Sequence, residues 1–282
     1  MFGRTDLLLE TTADLPQKAG IPTQTVRQDD LIITRAVLDT TAAATLNKPA
    51  GHYVTVELPA LSDDEEHLAR HAACVAKELH ALLPPHGTVL VVGLGNTAVT
   101  PDALGPQTAD MVLATRHIRG EWARSMGLAD LRAVAVIHAD VLGKTGVESA
   151  ELVRGVCRAV SPAAIIAVDA LAARSLARLG CTVQLCDSGI APGSGVGNAR
   201  RPLSRDVLGV PVIGIGVPTV VDAATVVREL GGGEAHKEAA SMIVTPREID
   251  LVVRRAARLI ALAINGALQP EYNPAELVSA AM

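Results

Sequence analysis

The feature that most constrains the fold is a series of short apolar runs, most of them followed by a segment with helical periodicity. The runs lie at residues 88–93, 133–138, 163–168, 182–185 and 210–215. Helical patterns follow at residues 101–115, 148–160 and 170–179. Repeated strand–helix–strand units favour right-handed crossovers between parallel strands. We therefore predict an α/β fold with a mostly parallel sheet flanked by helices.

The composition is consistent with buried parallel strands. Apolar residues make up 49% of the 282 residues, but aromatic residues make up only 1%, so the core must consist of Val, Ile, Leu and Ala. Such residues are typical of strands covered on both faces. This length can form a single large α/β domain. We predict one domain over residues 1–282, in which residues 1–60, with turn signals at 14–16 and 47–51, form a less regular segment packed on the rest.

Charge and cysteine usage exclude several classes of protein. A formal net charge of -5, with no basic block, argues against direct binding of nucleic acid. The longest nearly uncharged stretch, residues 207–221, is interrupted by Gly and Pro and is too short to span a membrane. The four cysteines form no CxxC pair, and the N-terminus lacks the pattern of a secretory signal. We therefore expect reduced thiols and a cytoplasmic protein.

Acidic residues follow four of the predicted strands. They are Asp102, Asp140, Asp169 and Asp187. The carboxyl ends of parallel strands meet at one edge of a sheet, so these side chains are expected to face one crevice. Two carboxylates held close together can share a proton, which supplies an acid and a base for hydrolysis. Asp102 could instead stabilise the first turn of a helix, and Asp169 could cap the helix that follows it.

Two glycine-rich segments are candidates for binding a ligand. Residues 93–96 follow a predicted strand and resemble part of a dinucleotide-binding loop, which leaves a nucleotide or small-molecule α/β hydrolase as an alternative. The second segment, residues 187–198, allows backbone N–H groups to approach a substrate or an oxyanion. Its candidate substrate-binding residues are Gly189, Gly193, Ser194, Gly195 and Asn198.

Longer sequence blocks together carry a family resemblance. They are residues 91–106, 115–118, 168–175, 187–204, 208–223 and 242–250, with 4–10 and 264–270 at the two ends. In this order they strongly resemble the germination protease family of spore-forming bacteria, over nearly the whole chain. The resemblance implies an endopeptidase that degrades small acid-soluble spore proteins during germination, in the cytoplasm of the spore core, and cuts after Glu. It also implies a homotetramer made as a zymogen, although only three residues precede Arg4 here.

The resemblance also implies a set of site residues. The family's two essential aspartates correspond to Asp102 and Asp169, with Asp187 as a third candidate. A cation is needed to bind a Glu side chain, and Arg116, Arg200 and Arg201 are candidates. No cofactor is expected. However, the family's fold is similar to that of the hydrogenase-maturation endopeptidases (phosphorylase/hydrolase-like), which hold a metal, so a metal-assisted endopeptidase is an alternative.

Overall fold

The described residues of the chain form a mixed β-sheet of nine strands with helices packed on it. A computed structural model describes residues 5–12, 21–63, 66–125, 127–197, 200–231, 239 and 242–272. The strands are β1 (Thr23–Gln28), β2 (Leu31–Leu38), β3 (Gly51–Glu57), β4 (Val89–Leu94), β5 (Val134–Ala139), β6 (Ala164–Ala173), β7 (Thr182–Cys186), β8 (Val212–Asp222) and β9 (Ile243–Val244). The helices are α1 (Leu8–Thr12), α2 (Thr40–Leu46), α3 (Leu68–Leu82), α4 (Leu104–Met111), α5 (Gly120–Ser125), α6 (Leu142–Thr145), α7 (Ser149–Val160), α8 (Arg205–Leu208), α9 (Ala223–Gly231) and α10 (Ile249–Leu268).

The sheet has a parallel half and an antiparallel half. The strand order is β1-β2-β3-β7-β8-β6-β4-β5, and β9 pairs with β8. Strands β5, β4, β6 and β8 are parallel neighbours, whereas β1, β2, β3, β7 and β9 all pair antiparallel. The α/β fold is therefore confirmed. The sheet is mixed rather than mostly parallel, because the strands near the N-terminus extend it in antiparallel pairs.

The N-terminal part of the chain is more regular than predicted. Residues 23–57 form the three antiparallel strands β1, β2 and β3, and β3 joins the rest of the sheet through β7. Part of this region, residues 13–20, lies outside the described residues. The prediction of a less regular segment over residues 1–60 is wrong for these strands, because β3 is stabilised by pairing with residues 182–186, which are distant in sequence.

Helices cover both faces of the parallel half. On one face, Val91 and Ile166 pack into a core with α3 and α10. On the other face, Leu90 and Ile165 pack against Val153 of α7. Strand residues alternate between the two faces with a period of two. The strands are therefore buried on both sides, as their nearly continuous apolar runs predict.

Strand β6 is longer than predicted and contains Asp169 in its interior. It runs to Ala173, beyond the expected end at residue 168, and Asp169 pairs in register with Gly216 of β8. The helix predicted over residues 170–179 is replaced by the end of this strand and a short 3-10 helix, Leu176–Arg178. Alternation places the Asp169 side chain on the same face as Ile165 and Ala167, the face that α7 covers.

Candidate active site

A large cavity of about 1490 Å³ opens beside β6 and β8. Its wall is formed by the loop after β4, the middle of β6 and the segment after β7, together with the N-terminal segment 5–12. Six acidic side chains line it, which are Asp6, Asp102, Glu148, Asp169, Asp187 and Asp206. Three of the four predicted acids, Asp102, Asp169 and Asp187, thus line one cavity, whereas Asp140 does not.

Asp102 is held by the glycine-rich loop that follows β4. It ends the short 3-10 helix Thr100–Asp102, and its Oδ2 accepts a hydrogen bond from the Asn96 amide at 2.8 Å. Gly95 has a φ of +118°, and a Cβ there would lie 2.0 Å from the Asp102 carbonyl oxygen. Only glycine allows so close an approach of the two backbone segments. The loop therefore folds around Asp102 instead of leaving a free cradle for a phosphate.

Opposing effects act on the pKa of Asp102, and the net shift is upward but weaker than the shift of Asp169. Burial raises the pKa of the Asp102 carboxyl above its ordinary value, and the carboxylate of Asp140 raises it further. The hydrogen bond from the Asn96 amide opposes both effects, because it stabilises the charged form. Asp140 itself lies outside the cavity wall and pairs with Lys144 at 3.1 Å.

Asp169 is the most strongly perturbed carboxyl group of the site. It is only 5% exposed, and its Oδ1 accepts one hydrogen bond, from the Ala170 amide at 2.9 Å. Burial raises the pKa of Asp169 well above its ordinary value, and the carboxylates of Asp102 and Asp6 raise it further. A carboxyl group in such surroundings is more stable when it holds its proton.

Asp187 also lines the cavity, but it is already paired. Its Oδ1 accepts a hydrogen bond from the His52 amide at 2.7 Å, and its Oδ2 lies 2.7 Å from Nδ1 of the same histidine. Strand β7 runs antiparallel to β8, so Asp187 does not follow the carboxyl end of a parallel strand, as the sequence pattern predicted. Its carboxylate contributes negative charge to the wall rather than forming part of the Asp102–Asp169 cluster.

Asp6 is a carboxylate of the site that the sequence reasoning missed. Its Oδ1 accepts a hydrogen bond from Ser194 Oγ at 2.6 Å, and its Oδ2 accepts one from the Ala172 amide at 2.9 Å. It thus joins the glycine-rich loop to the strand that carries Asp169. The only available signal was its place in the block 4–10, and nothing in its spacing relates it to residues more than 160 positions away.

The glycine-rich segment after β7 borders the cavity as expected. Gly189, Gly193, Ser194 and Gly195 all line it. The Ser194 amide donates to the Ala191 carbonyl at 3.2 Å, so this amide already has a partner. Asn198, the remaining candidate in this segment, lies outside the described residues.

The predicted cations are only partly at the site. Arg200 lines the cavity and is exposed. Arg116 lies away from the cavity wall, where its amide bonds to the carbonyl of Val134 at the amino end of β5. Arg201 is exposed and is not part of the wall. Lys48, which lies between α2 and β3 in the chain, also lines the cavity. This cation was not predicted from the sequence.

The described part of the chain contains neither a cluster of metal ligands nor a helix that could span a membrane. No group of three or more His, Cys, Asp or Glu side chains in those residues is placed to hold a metal ion. No helix among them combines the length and apolar character needed to cross a membrane.

Comparison with known proteins identifies the family. The family model described as germination protease matches residues 7–230. The chain belongs to the germination protease family. The germination protease of Caldanaerobacter subterraneus subsp. tengcongensis is 40% identical, with 97% of this chain and 96% of that protein covered. The germination protease of Clostridium acetobutylicum is 35% identical, with 97% of each covered.

Membership of the germination protease family makes the chain an endopeptidase, and therefore a hydrolase. Among solved structures, the [NiFe] hydrogenase maturation protease HycI from Thermococcus kodakarensis KOD1 covers 66% of this chain and 98% of its own. The two are 18% identical, with a TM-score of 0.38.

Proposed function

We propose that this germination protease degrades small acid-soluble spore proteins during germination, that it cuts after Glu, and that Asp102 and Asp169 share the catalytic proton. One observation carries the mechanism. The Asp169 carboxyl is buried in the cavity wall, and the Asp102 carboxylate, on the same wall, raises its pKa. Such a pair exists as one acid and one carboxylate over a range of pH, which is what acid–base hydrolysis requires.

The environments of the two groups assign their roles. Asp169 is the more buried group with the more strongly raised pKa, so it holds the proton. Asp102, stabilised as a carboxylate by the Asn96 amide, takes a proton from the attacking water. Asp169 gives its proton to the carbonyl oxygen as the tetrahedral intermediate forms. Asp102 then protonates the leaving amine, and Asp169 recovers its proton as the new carboxyl group forms.

Backbone amides of the glycine-rich loop complete this proposal. The Ser194 amide is already bonded within the loop, so Gly193 and Gly195 are the better candidates to donate to the developing oxyanion. The absence of a side chain at Gly195 lets the loop pack closely on β6, because a Cβ there would lie 2.2 Å from Asp6 Oδ2 and 2.6 Å from Ala172 Cβ. Asp6 holds this loop against β6 through Ser194 and Ala172, which fixes its distance from Asp169.

Several expectations about the whole protein belong to the same proposal. We infer one domain over residues 1–282, a homotetramer, zymogen control and a location in the spore core. The continuity of β1, β2 and β3 with the rest of the sheet supports the single domain. The names of the relatives support the role in germination. Neither nucleic acid nor a membrane is proposed as a partner.

The alternative functions have less support from the geometry. The loop at residues 93–96 is packed around Asp102 and α4, since a Cβ at Gly93 would lie 2.3 Å from the Gly105 carbonyl oxygen. This is a poor fit to a nucleotide phosphate. A metal-assisted mechanism would need ligands, and the described residues offer no three-residue cluster. No step of the proposed mechanism therefore depends on a metal ion.

The proposed function is tested by incubating the purified chain with a small acid-soluble spore protein and identifying the products by mass spectrometry. Products that end in Glu are expected, and replacing that Glu with Gln should suppress the cut. Parallel reactions with a divalent-metal chelator should proceed at the same rate. An intact substrate, cuts unrelated to Glu, or complete inhibition by the chelator would each contradict a stated part of the proposal.

A further inference from the structure

Lys48 places a substantially buried ammonium group on the cavity wall. It follows Asn47, which ends α2 in the left-handed conformation (φ 50°), and this turn directs the chain toward β3. The Nζ atom donates hydrogen bonds to the carbonyl oxygens of Thr5 at 2.8 Å and Asp6 at 3.1 Å. An ammonium group has three N–H donors, so one more is available.

The partners of this ammonium group are neutral. Both acceptors are backbone carbonyls, and none of the ion pairs among the described residues includes Lys48. Burial lowers the pKa of Lys48, and the carboxylates of Asp6 and Glu10 offset this only in part. A buried charge without a charged partner is costly, and a carboxylate that arrives with a ligand relieves that cost.

The charge of the cavity makes such a cation necessary for an acidic substrate. Six acidic side chains line the wall, and those that are ionised would repel a Glu side chain. Three arginines of the described residues also line it, which are Arg174, Arg200 and Arg205. Arg200 and Arg205 are exposed, where water and salt screen their charge, and Arg174 already bonds to the Glu10 carbonyl. Lys48 is therefore the cation best placed to bind a desolvated carboxylate.

We propose that the Lys48 ammonium binds the side-chain carboxylate of the residue that precedes the cleaved bond. Lys48 is then a specificity-determining residue, and the carbonyl groups of Thr5 and Asp6 hold its ammonium group in place. The N-terminal segment would thus position the group that selects the substrate. This inference rests on the proposed cleavage after Glu. It assigns to Lys48 the binding of the Glu side chain, for which Arg116, Arg200 and Arg201 were the candidates.

The test compares two peptides that differ only in Glu or Gln before the cleaved bond. For the unmodified protein, kcat/KM is expected to favour the Glu peptide by about 100-fold, since a charged partner would otherwise be left unpaired in the site. Lys48→Met should remove this preference by lowering kcat/KM for the Glu peptide alone, and Lys48→Arg should retain part of it. Arg205→Met is the matched control, because it removes an exposed positive charge from the same wall and should keep the preference.

The outcomes separate this inference from the function on which it rests. No Glu preference in the unmodified protein would overturn the proposed specificity and the role of Lys48 with it. A Glu preference that survives in Lys48→Met would overturn the role of Lys48 alone. If Lys48→Met cleaves neither peptide, its affinity for product peptides ending in Glu or Gln is measured by fluorescence anisotropy. Equal affinities support the proposal, and a retained preference for Glu contradicts it.

Discussion

The Asp102 carboxylate lies close enough to Asp169 to raise the pKa of the Asp169 carboxyl, and both side chains line one cavity. The two residues are 67 positions apart in sequence. Parallel pairing of β4 with β6 brings them together, because Gly93 of β4 lies opposite Val168 of β6. Asp102 follows one strand, and Asp169 lies within its neighbour.

Replacing either carboxyl with an amide should remove the acid–base pair. We expect Asp102→Asn and Asp169→Asn each to lower kcat/KM for a Glu-containing spore-protein peptide by at least about 100-fold. Asp140→Asn is the control, since that residue follows the neighbouring strand but lies outside the cavity wall, and it should stay within about threefold of the unmodified protein. Cleavage assays measure kcat/KM of each variant, and thermal unfolding checks that each variant is folded. Retained activity in either of the first two variants removes that residue from the mechanism.

Asp169 should make the protein less stable as the pH rises. Its pKa in the folded state is raised above the ordinary 3.8, so the folded state holds this proton more tightly than the unfolded state. Its contribution to the free energy of unfolding is therefore fully present below pH 3.8 and is lost as the pH rises through the raised pKa. Asn cannot ionise, so the stability of Asp169→Asn relative to the unmodified protein should increase across this window. Urea denaturation at a series of pH values measures the difference, and a constant or decreasing difference would contradict it.

Asp6 should set the alkaline limit of activity. Its carboxylate helps to raise the pKa of Asp169, so Asp6→Asn should move the alkaline limb of the kcat/KM profile to lower pH. The Asp102 carboxylate still acts on Asp169 in this variant, so the limb should shift without disappearing. Asp110→Asn is the control and should leave the limb in place, because Asp110 lies near the C-terminal end of α4, pairs with His138 and is not part of the cavity wall. An alkaline limb that is unmoved, or that moves upward, in Asp6→Asn would count against this role.

Gly95 should be required for both stability and activity. A Cβ at this position would meet the Asp102 carbonyl oxygen at 2.0 Å, and its φ of +118° is unfavourable for any other residue. Gly95→Ala is expected to lower the free energy of unfolding by at least about 2 kcal/mol and to displace Asp102. Gly155→Ala, within α7 and with nothing within 4 Å, should instead raise it by about 0.5–1 kcal/mol. Chemical denaturation measures both, and equal effects of the two substitutions would refute the argument.

Local sequence patterns predicted the parts of the fold that local physics determines. The buried runs and the α/β class follow from apolar composition and periodicity. The end of β6 could not be predicted this way, because residues 170–173 favour a helix locally and become a strand only through pairing with residues 217–221 of β8. The same holds for β3, whose partner β7 is distant in the chain.

The residues of the site also divide into those that sequence patterns predicted and those that they did not. Asp102 and Asp169 were predicted from their positions at the ends of predicted strands and from the family resemblance, and both line the cavity. Asp6 and Lys48 were missed because their relevance depends on where the N-terminal segment packs, which no spacing reveals. Arg116 was named for its charge and lies away from the cavity wall, because charge alone does not say at which end of a strand a residue lies.

The protonation state of Asp169 tests the central claim most directly. Infrared difference spectra of the unmodified protein minus Asp169→Asn should be recorded at neutral pH, where ordinary carboxyl groups are ionised. The account predicts a protonated carboxylic acid C=O band that is present in the unmodified protein, absent in Asp169→Asn and retained in Asp140→Asn. A spectrum that contains only the carboxylate band of Asp169 at that pH would contradict the account.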